Sequence, residues 1–136
     1  MNNKGFTLIE LLAIFALISI ITLITIPMIQ FAHKKIQENN YDAKKSVIKT
    51  AAEDYGEDYK EIILYGTDGT VDCSSYGAKC IKIKVQTLLN SGYLVRDTDL
   101  PQNVNDIRDP RDDTSLLDKD IYIYVKNNRA YADLKF

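Results

Sequence analysis

"KGFTLIELLAIFALISIITLITIPMI", residues 4 to 29, decides the architecture of this chain. From Leu11 to Ile29 it carries no charge, and only Ser19, Thr22 and Thr25 are weakly polar. Such hydroxyls bond back to helix carbonyls and so stay hidden in an apolar medium. Nineteen residues at 1.5 Å each span about 28 Å, close to the hydrocarbon thickness of a bilayer. The stretch therefore predicts a transmembrane helix. A cleaved secretory signal needs a shorter apolar core followed by a small-x-small site, and "TIPMIQFAHKK", residues 25 to 35, has no A-x-A pattern. Lys4 and the terminal amine on one side face His33, Lys34 and Lys35 on the other, so charge asymmetry does not orient the helix.

Glu10 is the one acid in this stretch. Near a membrane edge a carboxylate reaches the headgroups at small cost, whereas at the centre it costs about 2.5–3.5 kcal/mol. Its position explains why it is tolerated. It does not explain the Gly5-Phe6 step that precedes it.

"KGFTLIELL", residues 4 to 12, resembles the class III signal of type IV pilins and pseudopilins: a short basic leader ending in Gly, then Phe-Thr-Leu-Ile-Glu and a long apolar helix. The resemblance covers roughly residues 1 to 30. It implies that a prepilin peptidase cuts between Gly5 and Phe6 on the cytoplasmic side and methylates the new amine of Phe6, while the helix is retained. The chain then divides into a leader (1–5), a transmembrane and filament-core helix (6–29) and an extracytoplasmic pilin-like domain (30–136). A glycine before the cut suits close approach by the peptidase, because it lacks a Cβ.

On this resemblance, once Phe6 carries a free, still basic amine in an apolar environment it needs a negative partner, since an unpaired buried charge costs several kcal/mol. Glu10 can be that partner, and the resemblance implies that the pair forms between neighbouring subunits during assembly. Pro27 matches a proline common in the family. It removes one helix hydrogen bond and crowds the carbonyl of residue 23, which predicts a kink or local melting over 22–26 and a flexible point; a bare mark of the membrane exit is the alternative. The partners implied are self or other pilins in a helical filament, the peptidase, an assembly platform protein and its ATPase machinery. The chain is expected in the cytoplasmic membrane, single-pass, and then in a cell-surface or periplasmic filament.

Beyond the apolar segment, Ala32, Ile36, Ala43, Val47, Ala51, Tyr55 and Tyr59 recur at helical steps, with Lys34, Lys35, Lys44, Lys45, Lys49 and Glu53 on other faces. This is an amphipathic helix, weakened locally at Asn39 and Asn40. A helix from Phe6 to about Tyr59 is about 80 Å long, so its first half is expected to project. Gly66, Gly69 and Gly77 break the pattern. "IKIKV" (81–85) alternates as a strand, "VQTLLNSGYL" (85–94) reads as a short helix closed by Gly92, and "IYIYVKNNRAYADL" (121–134) reads as a hairpin turning on Asn127 and Asn128. The fold class expected is α+β: a long N-terminal helix whose second half packs on a small antiparallel sheet, pilin-like. "GYL", the Asp109-Pro110 pair and the terminal hairpin are similar to small pseudopilins and Gram-positive pilin-like subunits.

Cys73 and Cys80 lie in "DCSSYGAKC", residues 72 to 80, among turn-forming residues. Outside the cytoplasm a local disulfide is the natural reading. A metal pair lacks two further ligands, because His33 is the only histidine. Unlike large adhesive pilins, whose disulfide brackets a C-terminal loop, this chain places the pair mid-sequence.

No phosphate loop and no G-x-S-x-G elbow occur, so neither a catalytic residue nor a cofactor site is expected and the chain is not read as an enzyme. The net charge of −2 gives no reason to expect direct nucleic-acid binding. Eight aspartates lie from Asp97 to Asp120. They offer oxygen ligands of the kind Ca2+ takes, and some secretion pseudopilins hold calcium in a C-terminal loop. The D-x-D-x-D-G spacing is absent, and Arg108, Arg111 and Lys119 stand ready as partners, so a solvated acidic loop is expected and no metal site. Tyr122 and Tyr124 are expected to cover one face of the terminal strand. The function implied is a structural subunit of a type IV pilus-like or type II secretion-like filament. The competing reading is a monomeric single-pass anchor for a small binding domain, in which Glu10 is incidental.

Overall fold

The computed structural model describes residues 7–65, 73–77 and 79–136; Gly5, Phe6, Gly66 and Gly69, on which expectations rested, lie outside them. The elements are α1 (Leu8–Asp58), α2 (Lys60–Tyr65), a 3-10 turn (Ser74–Tyr76), β1 (Cys80–Lys84), α3 (Val85–Asn90), β2 (Asp120–Lys126) and β3 (Arg129–Leu134). Packing divides the chain into Met1–Gln37 and Glu38–Phe136.

In the first unit α1 is the one element described, and it is long and apolar enough to cross a membrane. The hydroxyls of Ser19, Thr22 and Thr25 donate to the carbonyls of Phe15, Ile18 and Ile21 at 2.7–2.9 Å, as expected of polar groups in an apolar helix. The expected melting over 22–26 is absent, since α1 runs through Pro27 unbroken. One missing amide in a long helix leaves the turns on either side intact.

The second unit is α+β. β1, β2 and β3 form an antiparallel sheet in that order, pairing Ile81 with Ile123 and Ile123 with Ala132. Alternation puts Ile121, Ile123, Val125, Ala130 and Ala132 inside, where they meet Ile48, Ala51 and Ala52 of α1, Val85 and Leu88 of α3, and Leu116. The β2–β3 turn has Asn127 and Asn128 at φ 50° and 62°, the left-handed pair that a two-residue type I′ hairpin requires. Gly92, at φ 81°, lets the chain reverse after α3, where the Tyr93 amide donates to the Leu88 carbonyl at 3.0 Å.

The buried stripe of α1 differs from the expected one. Tyr41, Ile48, Ala51, Ala52 and Gly56 are buried, whereas Ile36 and Val47 are exposed. The stripe is turned by about one residue, or 100°, because helix and sheet meet closely at Gly56. A Cβ there would lie 2.6 Å from Ile123 Cγ2 and 2.8 Å from Ala130 Cβ. Small residues make this contact, so a search for large apolar side chains selects the neighbouring face.

α1 also closes the outer edge of the sheet. Glu57 Oε1 accepts from the Ala130 amide at 2.6 Å and Glu53 Oε1 from the Ala132 amide at 3.5 Å. These amides face away from β2, and a carboxylate on each blunts the edge against further strand pairing.

Cys73 and Cys80 are bridged, with Cα atoms 5.6 Å apart. Closing this short loop contributes roughly 2.5 kcal/mol in the chain-entropy account. Reduction, or Cys73→Ser, is expected to lower the melting temperature of the second unit by about 10 °C or more. A thermal melt with and without reductant checks this, and coincident curves would refute it.

Tyr93 donates its hydroxyl to Asp58 Oδ2 at 2.6 Å and packs edge-on to Tyr55. The hydrogen bond to Asp58, followed by desolvation, pushes its pKa up to about 12 from an ordinary 10.0. Between these values the unfolded chain has released the tyrosine proton and the folded chain keeps it, so stability falls as pH rises. Tyr93→Phe should flatten the decline of melting temperature between pH 10 and 12; an unchanged slope would sink this assignment.

Candidate processing and assembly site

The described chain begins at Thr7, the residue before α1. Its hydroxyl donates to Glu10 Oε2 at 2.8 Å, its amide donates to the same oxygen at 2.9 Å, and the Glu10 amide donates back to Thr7 Oγ1 at 3.4 Å. This reciprocal arrangement is a capping box, T-x-x-E, in which cap and third helical residue satisfy each other's free amides. Glu10 is thus held in the first turn of α1, where the helix dipole favours an anion. Thr7 is a capping residue that the sequence reading did not single out. Its signal was a threonine three residues before a glutamate at the head of an apolar run.

The cap fixes the direction of the carboxylate. Oε2 turns back to the amide and hydroxyl of Thr7 at the head of the helix. Oε1 accepts no hydrogen bond among the described residues. A carboxylate so placed can receive a cation at its free oxygen while the other oxygen holds the helix end. Gly5 and Phe6 lie outside the described residues. Pro27 lies within α1, five turns further on, and no contact brings it to Glu10.

The structure distributes the remaining candidates elsewhere. Tyr76, inside the disulfide loop, stacks on Tyr124 at 4.8 Å between ring centres, and Tyr124 stacks on Tyr131 at 5.6 Å. Tyr76 also donates to Asp133 Oδ2 at 2.9 Å. Together with Tyr122 these rings cover the outer face of the sheet, so the bridge holds an aromatic row in place.

Asp99, Asp112, Asp113 and Asp118 are exposed, as expected of a solvated loop, but Asp97, Asp106 and Asp109 are drawn in and tied to partners. Asp97 Oδ2 accepts from Lys44 Nζ and from the Arg108 amide, each at 2.7 Å. Asp106 accepts from Ser115, the Ile107 amide and Arg108 Nε. Asp109 is buried and held by Arg111 through Nε at 2.9 Å and Nη2 at 2.6 Å. The Arg111 hydrogen bonds keep the Asp109 carboxyl below the usual carboxylate range against the opposing effect of burial. The Arg111 guanidinium in turn lies 3.3 Å over the Tyr41 ring, which ties the segment to α1. Among the described residues, no three acidic, histidine or cysteine side chains come together as a metal site.

Comparison with protein families finds a match to the prokaryotic N-terminal methylation motif over residues 1–26. No curated protein and no solved structure matches the chain significantly. Residues 1–26 include Gly5, Phe6, Thr7 and Glu10 and the capped first turns of α1. The chain therefore carries the class III signal of type IV pilins, joined to a pilin-like α+β fold.

Proposed function

We propose that this chain is a structural subunit of a type IV pilus-like or type II secretion-like filament, cut between Gly5 and Phe6 by a prepilin peptidase and assembled through α1. The observation that carries the reading is the methylation motif over residues 1–26, running directly into a helix whose large apolar side chains from Leu8 to Phe31 are exposed. Such a surface requires either lipid or other copies of the helix around it.

In this reading the chain waits in the cytoplasmic membrane as a single-pass protein. The disulfide supports placing the second unit outside the cytoplasm. On assembly, the methylated amine of Phe6 pairs with the carboxylate of Glu10 on a neighbouring subunit. The pair relieves two buried charges at once and sets the axial register. Pro27 serves as the point where α1 adapts between bilayer and filament. The work assigned to the chain is structural, with no catalytic step and no cofactor.

N-terminal sequencing and mass determination of the membrane-extracted protein test the reading. The mature chain should begin at Phe6, carry one added methyl group, and occur in filaments sheared from cells. A protein that begins at Met1 and never enters the sheared fraction would favour the monomeric anchor.

A further inference from the structure

The chain between α3 and β2 holds an arrangement that neither the processing motif nor the sheet accounts for. The Asp97 amide donates to the Asp106 carbonyl at 3.0 Å and closes a loop at its base. Thr98, Asp99, Pro101, Gln102 and Asn103 are exposed on it, whereas Arg96, just before it, is half-buried. One nitrogen of that guanidinium, Nη1, lies 3.1 Å from the carbonyl oxygens of Leu100 and Pro101, 3.3 Å from that of Val104 and 3.4 Å from that of Asp97. An NH2 group has two hydrogens to share among these four oxygens.

Carbonyl oxygens turned toward one point repel one another unless a positive charge stands there. Oxygen-lined loops of other proteins place a metal ion at that point. Here the position is taken by a side chain, and its partners among the described residues are all main-chain carbonyls. The carboxylates that flank the loop are turned to other cations, Asp97 to Lys44 at 2.7 Å and Asp106 to Arg108 at 3.2 Å. Asp97 also holds the Arg108 amide, and Asp106 the Ile107 amide and Ser115. A divalent ion needs several such oxygens, carboxylates among them, and the chain has already committed both kinds to its own basic groups.

We propose that Arg96 is the resident cation of the 97–106 loop: it does the work of a bound metal ion and leaves the loop ordered without one. The inference stands apart from the filament reading and holds whether or not the chain assembles. Lysine at this position keeps the charge, methionine keeps only the bulk, and alanine keeps neither. Loss of the charge frees the loop, and a small cation of the missing shape orders it again.

Hydrogen exchange of the full chain in detergent is the measurement, read at the Asp97 and Val104 amides, which donate to the Asp106 and Pro101 carbonyls. Arg96→Ala and Arg96→Met should each speed exchange there by about tenfold or more, as expected for losing a charge-assisted hydrogen bond. Arg96→Lys should stay close to wild type. Exchange across β2 and β3 in the same samples should be unchanged, which shows that each variant is folded. Low millimolar guanidinium, far below denaturing concentrations, should slow the loop of Arg96→Ala again, and sodium chloride at the same concentration should not. In the wild type, calcium chloride and a chelator should give the same exchange. Slow exchange in Arg96→Met would make bulk the ordering factor, a missing or salt-like guanidinium effect would remove the cation site, and a wild-type loop tightened by calcium would have room for a metal; each overturns the proposal. If Arg96→Ala is too unstable to study, the contrast between the lysine and methionine variants and the wild-type calcium arm decide by themselves.

Discussion

Gly56→Val should unfold or severely destabilise the globular unit, by about 3–4 kcal/mol, and Gly56→Ala should destabilise it by about 1–2 kcal/mol. On helix propensity alone the alanine change should help, since glycine inside a helix costs about 1 kcal/mol relative to alanine. The sheet reverses that sign. The new Cβ would sit 2.6 Å from Ile123 Cγ2 and 2.8 Å from Ala130 Cβ. Ile123 is β-branched and fully buried, so its χ1 has little freedom to move away. Ala130 has no rotamer at all, and shifting it displaces β3 together with the amide that Glu57 accepts. Valine adds two methyl groups to the same collision. For a unit of this size the whole stability is of order 5–15 kcal/mol, so the valine variant loses a large share of it. Thermal and denaturant melts of the detergent-extracted chain decide the matter. An alanine variant that melts at or above wild type would mean that helix and sheet are not in contact at Gly56.

Glu10→Ala should leave membrane insertion unchanged or improved and cleavage after Gly5 intact, yet incorporation into filaments should fall at least tenfold. Removing one partner of a buried charge pair costs about 3–5 kcal/mol, because the remaining cation is stranded in a medium of low dielectric. Loss of the capping box with Thr7 adds about 1 kcal/mol to the same substitution, so alanine by itself confounds capping with the proposed charge pairing. Glu10→Gln separates them. Glutamine completes a T-x-x-Q capping box as glutamate completes T-x-x-E, but it brings no charge. It should therefore keep the first turn of α1 and still assemble poorly. The yield of sheared filament, with each variant as the only copy, is the measurement. Wild-type assembly by Glu10→Ala would remove the register role and strengthen the anchored-monomer reading. Assembly by Glu10→Gln alone would show that capping, with hydrogen bonding, is what filament formation needs from this position.

The terminal hairpin was legible because every local rule agrees on it. Alternating Ile and Tyr in β2, two asparagines able to take positive φ, and alternating Ala in β3 leave one register in which a single face is apolar. The short helix before Gly92 was legible for the same kind of reason. The capping box was also present in the residues, but its signal coincides with the processing motif and was read only as the latter. The buried stripe of the second half of α1 was misread by one position. Val47 is larger and more apolar than Ala52 or Gly56, and only the closeness of the sheet makes the smaller residues the buried ones.

The sequence by itself determined the apolar helix, the motif at its head, the α+β class and the pairing of Cys73 with Cys80, because each depends on residues near one another in the chain: an uninterrupted run, a spacing, a turn between two cysteines. Tertiary structure alone decided which side of α1 is buried, how the aspartates are used, and that Glu53 and Glu57 close the edge of β3. Asp97 needs Lys44 from α1, 53 residues away, and Glu57 meets Ala130 across 73. The Arg111 that holds Asp109 is fixed in turn against Tyr41. Partners so distant in sequence leave no periodicity to read. Whether a carboxylate faces water or a cation is settled only when the chain has brought the two together.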